Sequence, residues 1–260
     1  MRILLIGTGR MAYHLGHNIT RTSFHLIGVA GRDAEKTADL ARFLDRPAFR
    51  LNALPEEVDL VIIATSDDSI HSVAAALPYT NCVIAHTAGA AGLDLLEPHA
   101  HRAVLWPIQT LSHGAPVDLG PVPIVVDAND AVARETILRL SRAISESVFE
   151  LTHEQRELLH LTAVLASNLP VFLMHEAQRL LKQQKLPTDL LLPLWRTTAH
   201  NVVTIGPEAA LTGPARRGDL SSIKNHLEHL SNEPDLQRVY ALLSAMILKA
   251  NDHPTDGIDL

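Results

Sequence analysis

The sequence has a single cysteine, no excess of positive charge and no long uncharged apolar run. The lone Cys82 excludes an intramolecular disulfide and any metal site built from several cysteines. The net charge of −7 argues against a general nucleic-acid-binding protein. No stretch approaches about 18 apolar residues without a charge, so we expect no membrane span. The first apolar run is too short for a signal peptide, and we therefore expect a cytoplasmic location.

A metal-binding pattern is also missing, although the chain has 15 histidines. There is no H-E-x-x-H motif, and carboxylates do not gather around histidine pairs such as His226 and His229. We therefore expect no metal site. The hydrophobic content of 47% is sufficient for the core of one large domain or two modest ones.

The N-terminal segment carries the most informative motif. A short apolar run over residues 1–6 ends in Gly7-Thr8-Gly9-Arg10-Met11-Ala12, a match to G-x-G-x-x-A. A helical pattern follows, which is the context that the dinucleotide-binding fingerprint requires. In that fingerprint the first glycine makes the turn, the second admits a pyrophosphate, and the phosphates lie at the positive end of the helix. The alternative is a plain structural turn.

The residue after the second predicted strand, residues 24–30, bears on the choice of cofactor. NAD-binding fingerprints place an acidic residue near this point to hold the ribose hydroxyls, whereas this chain has Arg32. A guanidinium can bind a 2′-phosphate, which a carboxylate would repel. We therefore favour NADP over NAD; a solvated loop arginine is the alternative interpretation. Asp33 predicts the N-cap of a helix over Ala34–Leu44.

Polar residues follow the next predicted strands. The strand over residues 59–64 ends in Thr65-Ser66-Asp67, the strand over residues 81–86 ends in His86-Thr87, and Gln109 follows a further strand. Ligands of open parallel sheets bind outside the carboxyl ends of the strands. We therefore expect the first five of these residues to line the cofactor cleft and Gln109 to contact substrate. Helix capping is the alternative for the first group, and a hydrogen bond to a neighbouring loop is the alternative for His86.

The alternation of strands and helices up to Leu151 predicts an α/β Rossmann domain with a doubly wound parallel sheet over residues 1–151. A capping box at Thr152-His153-Glu154-Gln155 then opens a long helix to about Gln184, in which Pro170 predicts a kink near Ser167–Asn168. Only helical patterns follow, with helix starts near Thr188, Asp219 and Pro234. We expect an all-α domain over residues 152–250 for substrate binding and dimerisation, and a frayed tail over residues 251–260.

Several of these motifs together resemble one known family. They are Gly7-Thr8-Gly9, His86-Thr87-Ala88-Gly89, Pro107-Ile108-Gln109-Thr110, His160-Leu161-Thr162-Ala163 with Asn168, and Thr212–Asp219. The chain resembles Rossmann-like proteins that carry the C-terminal domain of unknown function 2520, distant relatives of 6-phosphogluconate dehydrogenase, pyrroline-carboxylate reductase and ketopantoate reductase. The resemblance implies an NADP-binding oxidoreductase whose helical domain is similar to the C-terminal domain of 6-phosphogluconate dehydrogenase.

Two positions depart from the patterns of these relatives. Ala88 stands where the family usually has a serine, which removes a hydroxyl that would face cofactor or substrate. Val164 stands where the related hydroxyacid dehydrogenases carry a lysine. A lysine acid is therefore not available at that position.

Hydride transfer to a carbonyl or imine needs a positioned proton donor, and histidine is suited to that role. His160 and Asn168 project from one side of the predicted long helix, which in the resembling fold faces the cleft. We predict His160 as the catalytic donor and Asn168 as the amide that orients the carbonyl. The alternatives are a packing histidine and an asparagine that binds backbone groups freed by Pro170.

The segment over residues 211–219 is predicted to be a substrate-binding loop. Arg217 is suited to bind a carboxylate bidentately, and Thr212 and Asp219 are further candidates, although Asp219 is equally suited to cap the next helix. The sequence thus predicts an NADP-dependent reductase of a small, anionic carbonyl or imine compound. A non-catalytic NADP-binding sensor or dimeric scaffold is the alternative, and a deazaflavin partner a third. We expect a homodimer through the helical domain, whose apolar positions outnumber those that one buried face needs.

Overall fold

The apolar N-terminal run forms an inner strand of an eight-stranded sheet in a computed structural model, which describes residues 1–256 and 258. The strands are β1 (Arg2–Ile6), β2 (His25–Gly31), β3 (Ala48–Arg50), β4 (Leu60–Ile63), β5 (Val83–His86), β6 (His101–Pro107), β7 (Ile124–Ala128) and β8 (Val148–Glu150). Their order in the sheet is β3-β2-β1-β4-β5-β6-β7-β8. The first six positions have the strand order of a Rossmann fold.

The strand directions confirm the doubly wound parallel arrangement for the six strands from β3 to β6. The last two strands run against them, since β7 is antiparallel to β6 and β8 is parallel to β7. The reason lies in the connection between β6 and β7. Residues 108–123 contain no helix, so the chain turns back alongside β6 instead of crossing over the sheet.

Helices cover both faces of this sheet, and further helices follow β8. They are α1 (Arg10–Thr20), α2 (Ala34–Leu44), α3 (Asp67–Ala75), α4 (Ala131–Ile144), α5 (His153–Ala163), α6 (Leu169–Gln183), α7 (Leu192–Ala210), α8 (Pro214–Arg217), α9 (Leu220–His229) and α10 (Pro234–Ala250). The N-cap predicted at Asp33 is confirmed, as is the capping box of Thr152 and Gln155. Asp130 caps α4 in the same way as Asp33 caps α2.

Alternation along the buried strands builds two cores on opposite faces of the sheet. Ile3 and Leu5 of β1 pack with α1, α2 and α4 on one face, whereas Leu4 and Ile6 pack with α3 on the other. The register pairs Ile6 with Ile63 and Ile63 with His86. The carboxyl ends of β1, β4 and β5 therefore lie level, at the edge where a parallel sheet binds its ligands.

The predicted long helix is confirmed as a continuous run from His153 to Gln183. A π-helical turn over Val164–Asn168 lies where Pro170 predicted a kink; π-turns and prolines both disturb a regular helix. By length and composition this run is able to cross a membrane. One such helix is weak evidence for a span.

The chain divides into two compact units, Met1–Leu173 and Met174–Leu260. The domain boundary predicted after Leu151 stays a prediction. In the second unit α7 begins at Leu192, not at the predicted cap Thr188, because Pro193 favours the first turn of a helix and Thr188–Leu191 forms a 3₁₀ turn.

The core of the second unit includes part of the expected tail. Ile258 is buried with Ile223 and Leu248, and Nε2 of His253 lies 3.2 Å from the carbonyl oxygen of Arg216. Contrary to the expectation of a frayed tail, these two side chains are therefore tied to the helices. The remainder of that prediction, at 257, 259 and 260, lies outside the described residues.

Candidate cofactor-binding site

The turn between β1 and α1 requires glycine at one position and leaves space at another. Gly7 has φ +126°, and a Cβ there would overlap the carbonyl oxygen of Ala64. Its N–H donates to the carbonyl oxygen of Ala30 (2.8 Å). Gly9 is the N-cap of α1, and a Cβ there would meet nothing within 4 Å. The backbone is thus packed closely against Ala64 at Gly7, whereas the space beside Gly9 is empty of protein atoms.

The N-terminus of α1 is free to bind an anion. Its first turn has no acidic side chain, and no side chain caps it. The first N–H groups of a helix have no partner within the helix and carry the positive end of its dipole. A phosphate group beside Gly9 would meet these donors.

A cavity of about 840 Å³ opens at this point, a size typical of small-molecule sites. It brings together eight of the predicted cofactor-binding residues: Gly7, Thr8, Gly9, Arg10, Met11, Arg32, Thr65 and Ser66. The predicted residues Asp67, His86 and Thr87 are not part of its lining. Asp67 is instead the first residue of α3, where its negative charge suits the helix dipole, although no side chain caps this helix.

The cavity has a cationic lining with one carboxylate. Arg10, Arg32 and Lys36 line it together with Asp33. The Asp33 carboxylate accepts a hydrogen bond from the backbone N–H of Lys36 (3.1 Å), which lowers the pKa of that carboxyl. Within the described residues, the side chains of Arg10 and Arg32 make no hydrogen bond or ion pair. Both guanidiniums are available to an anionic ligand.

His86 is fully buried at the carboxyl end of β5. Its Nδ1 accepts the N–H of Ala88 (3.2 Å), so Nε2 carries the proton and donates to the carbonyl oxygen of Gly92 (3.2 Å). Burial lowers the pKa of the imidazole to about 4. Both ring nitrogens are thus used by the backbone, which supports the alternative interpretation of a histidine bound to a neighbouring loop. Thr87 is buried as well.

Arg156 of α5 is a site residue that the sequence analysis missed. Its side chain is completely buried and donates to the carbonyl oxygens of Gly89 (2.7 Å) and Ala91 (2.8 Å). It also lies 3.1 Å from the carboxylate of Asp127. These bonds fix the loop that follows β5. The available signal was that Arg156 shares a helix face with Leu159, three residues later.

The predicted donor His160 lies near this loop. Its ring is 5.8 Å from that of Trp106, centroid to centroid, and Trp106 packs directly against Gly89. His160 is exposed, at the carboxyl end of β6. The remaining predicted contact from this edge, Gln109, is exposed, and its side-chain oxygen accepts the N–H of Thr110 (2.9 Å).

The π-turn affects how His160 and Asn168 are aligned. In an uninterrupted α-helix, residues eight apart differ by about 80° in direction, whereas one inserted residue reduces the difference to about 20°. Asn168 is exposed, and its side-chain oxygen accepts a hydrogen bond from the hydroxyl of Ser167 (3.0 Å). The alignment on which the prediction rests is thus better than a regular helix would give.

In the second unit, the segment predicted as a substrate-binding loop contains the short helix α8. Gly213 (φ +99°) and Gly218 (φ +72°) flank it. The Asp219 carboxylate accepts the N–H (3.0 Å) and hydroxyl (2.6 Å) of Ser222, and the hydroxyl bond is the main reason that its pKa falls to about 2. The structure thus supports Asp219 as the cap of α9. Arg217 and Thr212 are exposed.

Comparisons with known proteins agree with this architecture. Residues 122–247 match the family described as Domain of unknown function (DUF2520), and residues 1–78 match Shikimate / quinate 5-dehydrogenase. The structure of "putative NADP oxidoreductase BF3122" from Bacteroides fragilis is 31% identical, with a TM-score of 0.86 over 95% of this chain and 98% of that chain. The chain belongs to the DUF2520 family of Rossmann-type proteins.

Two further structures are similar to this DUF2520 protein in fold. Protein TM1727 from Thermotoga maritima is 20% identical, with a TM-score of 0.73 over 96% of this chain and 98% of that chain. The 1-pyrroline-5-carboxylate reductase from Streptococcus pyogenes is 16% identical, with a TM-score of 0.63 over the same shares. A search of curated proteins gives no match.

The family resemblance inferred from the motifs is confirmed, and the chain carries an NAD(P)-binding Rossmann domain of the oxidoreductase type. The residues present fit a dinucleotide. The open space beside Gly9 at the free start of α1 suits its pyrophosphate, and the unpaired Arg32 lines the same cavity. Within the described residues, no group of three or more His, Cys, Asp or Glu side chains is arranged to hold a metal ion.

Proposed function

We propose that this DUF2520 protein is an NADP-dependent oxidoreductase that reduces a small, anionic carbonyl or imine compound. The observation that carries the proposal is the cavity at the carboxyl ends of β1, β2 and β4, with its glycine turn and cationic lining. The bound cofactor supplies a hydride. The residues of the chain bind the two ligands, orient them and provide a proton.

Cofactor binding is assigned to the cavity residues. The N–H groups that follow Gly9 bind the pyrophosphate, and Thr65 and Ser66 line the opposite wall at the end of β4. Arg32 binds the 2′-phosphate, which favours NADP over NAD. Thr87 and the other residues that follow β5 shape the region beside the nicotinamide, where Arg156 holds the backbone in place.

Proton transfer is assigned to His160. It is exposed on α5 and lies beside Trp106 at the carboxyl edge of the sheet, whereas the imidazole of His86 is buried and bound to backbone. Asn168, brought into line by the π-turn, orients the substrate carbonyl or imine. In the second unit, Arg217 and Thr212 stay the predicted contacts for the anionic part of the substrate. In the first unit, Gln109 stays a predicted substrate contact.

The proposal is tested by titrating the purified protein with NADPH, NADP, NADH and NAD, then screening oxo acids and imines for NADPH oxidation. We expect NADPH and NADP to bind more tightly than NADH and NAD, and Arg32→Gln to remove this preference. We also expect turnover of a substrate, and a higher KM for that substrate in Arg217→Gln. The matched control is Arg21→Gln, an exposed arginine at the other end of α1. The proposal fails if no substrate is turned over and Arg217→Gln does not alter cofactor-dependent binding of any of them.

A non-catalytic NADP-binding sensor or scaffold is the second candidate. It is favoured by Val164, which offers no proton where related dehydrogenases carry a lysine, and by His86, whose two nitrogens are both bound to backbone. This candidate predicts tight NADPH binding without turnover. Wild-type protein that binds NADPH and oxidises it with any member of the screen excludes it.

We further propose a cytoplasmic homodimer that forms through the helical region. Large apolar side chains are exposed along α5, α6, α7 and α10, far beyond what scattered surface residues would leave. They include Leu158, Leu161, Leu169, Val171, Leu194, Trp195, Val202, Val203, Ile205, Leu242, Leu243 and Met246, and the turns between these helices add Leu165 and Leu190. A second copy of this chain would remove them from water at about 25 cal/mol per Å² of apolar surface.

A further inference from the structure

A second cavity adjoins the cofactor cavity on the outer side of β2. Its volume is about 530 Å³, and Gly31, Arg32 and Leu51 line both cavities. The other side is formed by β3 and the residues after it, including Arg50. The two cavities therefore meet at Arg32.

The strand pairing places Arg50 next to the end of β2. In the parallel register between β2 and β3, Gly31 is paired with Arg50, and Arg32 is the next residue after Gly31. Gly31 has no side chain to stand between the two arginines. Both guanidiniums are exposed, and within the described residues neither makes a hydrogen bond or an ion pair.

The charge around the two cavities is unbalanced. Their linings hold four cationic side chains, Arg10, Arg32, Lys36 and Arg50, and a single carboxylate, that of Asp33. This carboxylate caps α2 and lies 3.7 Å from Nζ of Lys36. It is therefore already paired, and the two arginines face the cavity without a counter-ion.

We propose that Arg50 and Arg32 together form the binding site for the 2′-phosphate of the dinucleotide, which makes Arg50 a second determinant of NADP preference. This inference rests on the proposed cofactor, although not on the proposed reaction. A phosphate monoester carries a charge of about −1.5 to −2 at neutral pH. It suits two guanidinium forks better than one. A dinucleotide bound in the usual way would have its pyrophosphate at the start of α1 and its adenosine ribose at the end of β2, where Arg32 and Arg50 line one cavity.

The test measures binding of NADPH, NADH, 2′,5′-ADP and 5′-AMP to wild type, Arg50→Gln, Arg32→Gln and the double variant by calorimetry at low salt. The Arg21→Gln variant is the control, since it removes the same charge outside both cavities. We expect Arg50→Gln to weaken NADPH and 2′,5′-ADP at least about tenfold, the scale of one charge-assisted hydrogen bond. NADH and 5′-AMP should change less than about twofold, and Arg50→Lys should fall in between.

Binding of one phosphate by both arginines predicts that their effects are not independent. The fold-loss of NADPH affinity in the double variant should be smaller than the product of the two single fold-losses, because each guanidinium binds the phosphate less well when the other is absent. The proposal is overturned if wild type binds 2′,5′-ADP no better than 5′-AMP. It is also overturned if Arg50→Gln weakens NADPH and NADH equally or leaves both unchanged. Circular dichroism checks that each variant is folded.

The proposed reaction can fail separately. NADPH binding that depends on Arg50, together with no turnover of any substrate, leaves the phosphate site in place and removes the oxidoreductase function. If the protein turns over a substrate and Arg50→Gln leaves its preference for NADPH over NADH unchanged, the oxidoreductase function stands and the proposed phosphate site is wrong.

Discussion

The buried guanidinium of Arg156 donates a 2.7 Å hydrogen bond to the carbonyl oxygen of Gly89 and thereby connects α5 to the loop after β5. Its Nη2 also pairs with Asp127 of β7 at 3.1 Å. Three segments far apart in the chain are joined by one charged side chain that water does not reach. Such a group is costly to disturb, because its partners cannot find replacement hydrogen bonds.

Replacement of Arg156 by Met should lower the free energy of unfolding by about 3–5 kcal/mol, since it leaves the carboxylate of Asp127 and two carbonyl oxygens without their donor. Arg156→Lys should lower the free energy of unfolding by a smaller amount. Urea unfolding measures the free energy of unfolding of both variants. The control is Arg134→Met, which removes an exposed pair with Glu150 and should cost about 1 kcal/mol or less. Equal losses at the two positions would contradict the role assigned to the buried bonds.

The two glycines of the N-terminal turn should respond differently to alanine. Gly7→Ala forces a side chain into φ +126° and onto the carbonyl of Ala64, so we expect a loss of about 2 kcal/mol or more in stability. Gly9→Ala meets open space and should change stability by less than about 1 kcal/mol, but its methyl group should weaken dinucleotide binding. Thermal unfolding with and without NADPH separates the two effects. If Gly9→Ala lowers the stability and Gly7→Ala does not, then Gly9, and not Gly7, is the glycine that the fold requires.

The buried imidazole of His86 should make the protein less stable in weak acid. Burial lowers its pKa to about 4 in the folded state, against about 6.5 in an unfolded chain. Above pH ~6.5 this histidine is neutral in both states and does not change the free energy of unfolding. The free energy of unfolding falls as the pH drops from ~6.5 toward 4, because in this range only the unfolded state takes up the proton. His86→Gln should reduce the slope in this window by up to about 1.4 kcal/mol per pH unit.

The exposed His71 of α3 provides the comparison for His86. His71→Gln should leave the pH dependence of urea unfolding as it is in the wild type. If both variants have the wild-type slope between pH 4 and 6.5, the histidine responsible is not His86.

Loss of the proposed proton donor should affect the chemical step and not cofactor binding. With a substrate found in the screen, His160→Gln should lower kcat by about 10²–10⁴-fold. The Kd for NADPH should stay within about twofold. His17→Gln, a change on α1, serves as the control. An unchanged kcat in His160→Gln would assign proton transfer to another group.

A charge on the exposed apolar surface should dissociate the proposed dimer. Val203 of α7 is 84% exposed, so Val203→Glu should leave each copy folded while it weakens association by about 100-fold or more. Val132 of α4, which is 52% exposed on the sheet domain, is the matched position, and Val132→Glu should remain dimeric. Light scattering at micromolar concentration measures both. A monomeric wild type would end the proposal.

Many local features of this protein could be predicted from its sequence with rules that apply to a few neighbouring residues. Gly7 and Gly9 mark a turn that only small residues allow, Asp33 caps its helix, and Thr152 with Gln155 closes a capping box. Each of these features depends on residues within a few positions of one another, or on a period of two or 3.6 residues. The alternation of strands and helices, the helical second half and the glycine turn could therefore be predicted before any contact was seen.

The features that the tertiary structure decided join residues far apart in the chain. The sequence alone did not place Arg50 beside Arg32, which needs the pairing of β2 with a three-residue strand too short to have a pattern. Nor did it show that Arg156 bonds the loop at Gly89, or that β7 turns back along β6. In each case the deciding energy is a hydrogen bond or charge pairing across the fold, and such a partner leaves no periodic signal in the residues around either member.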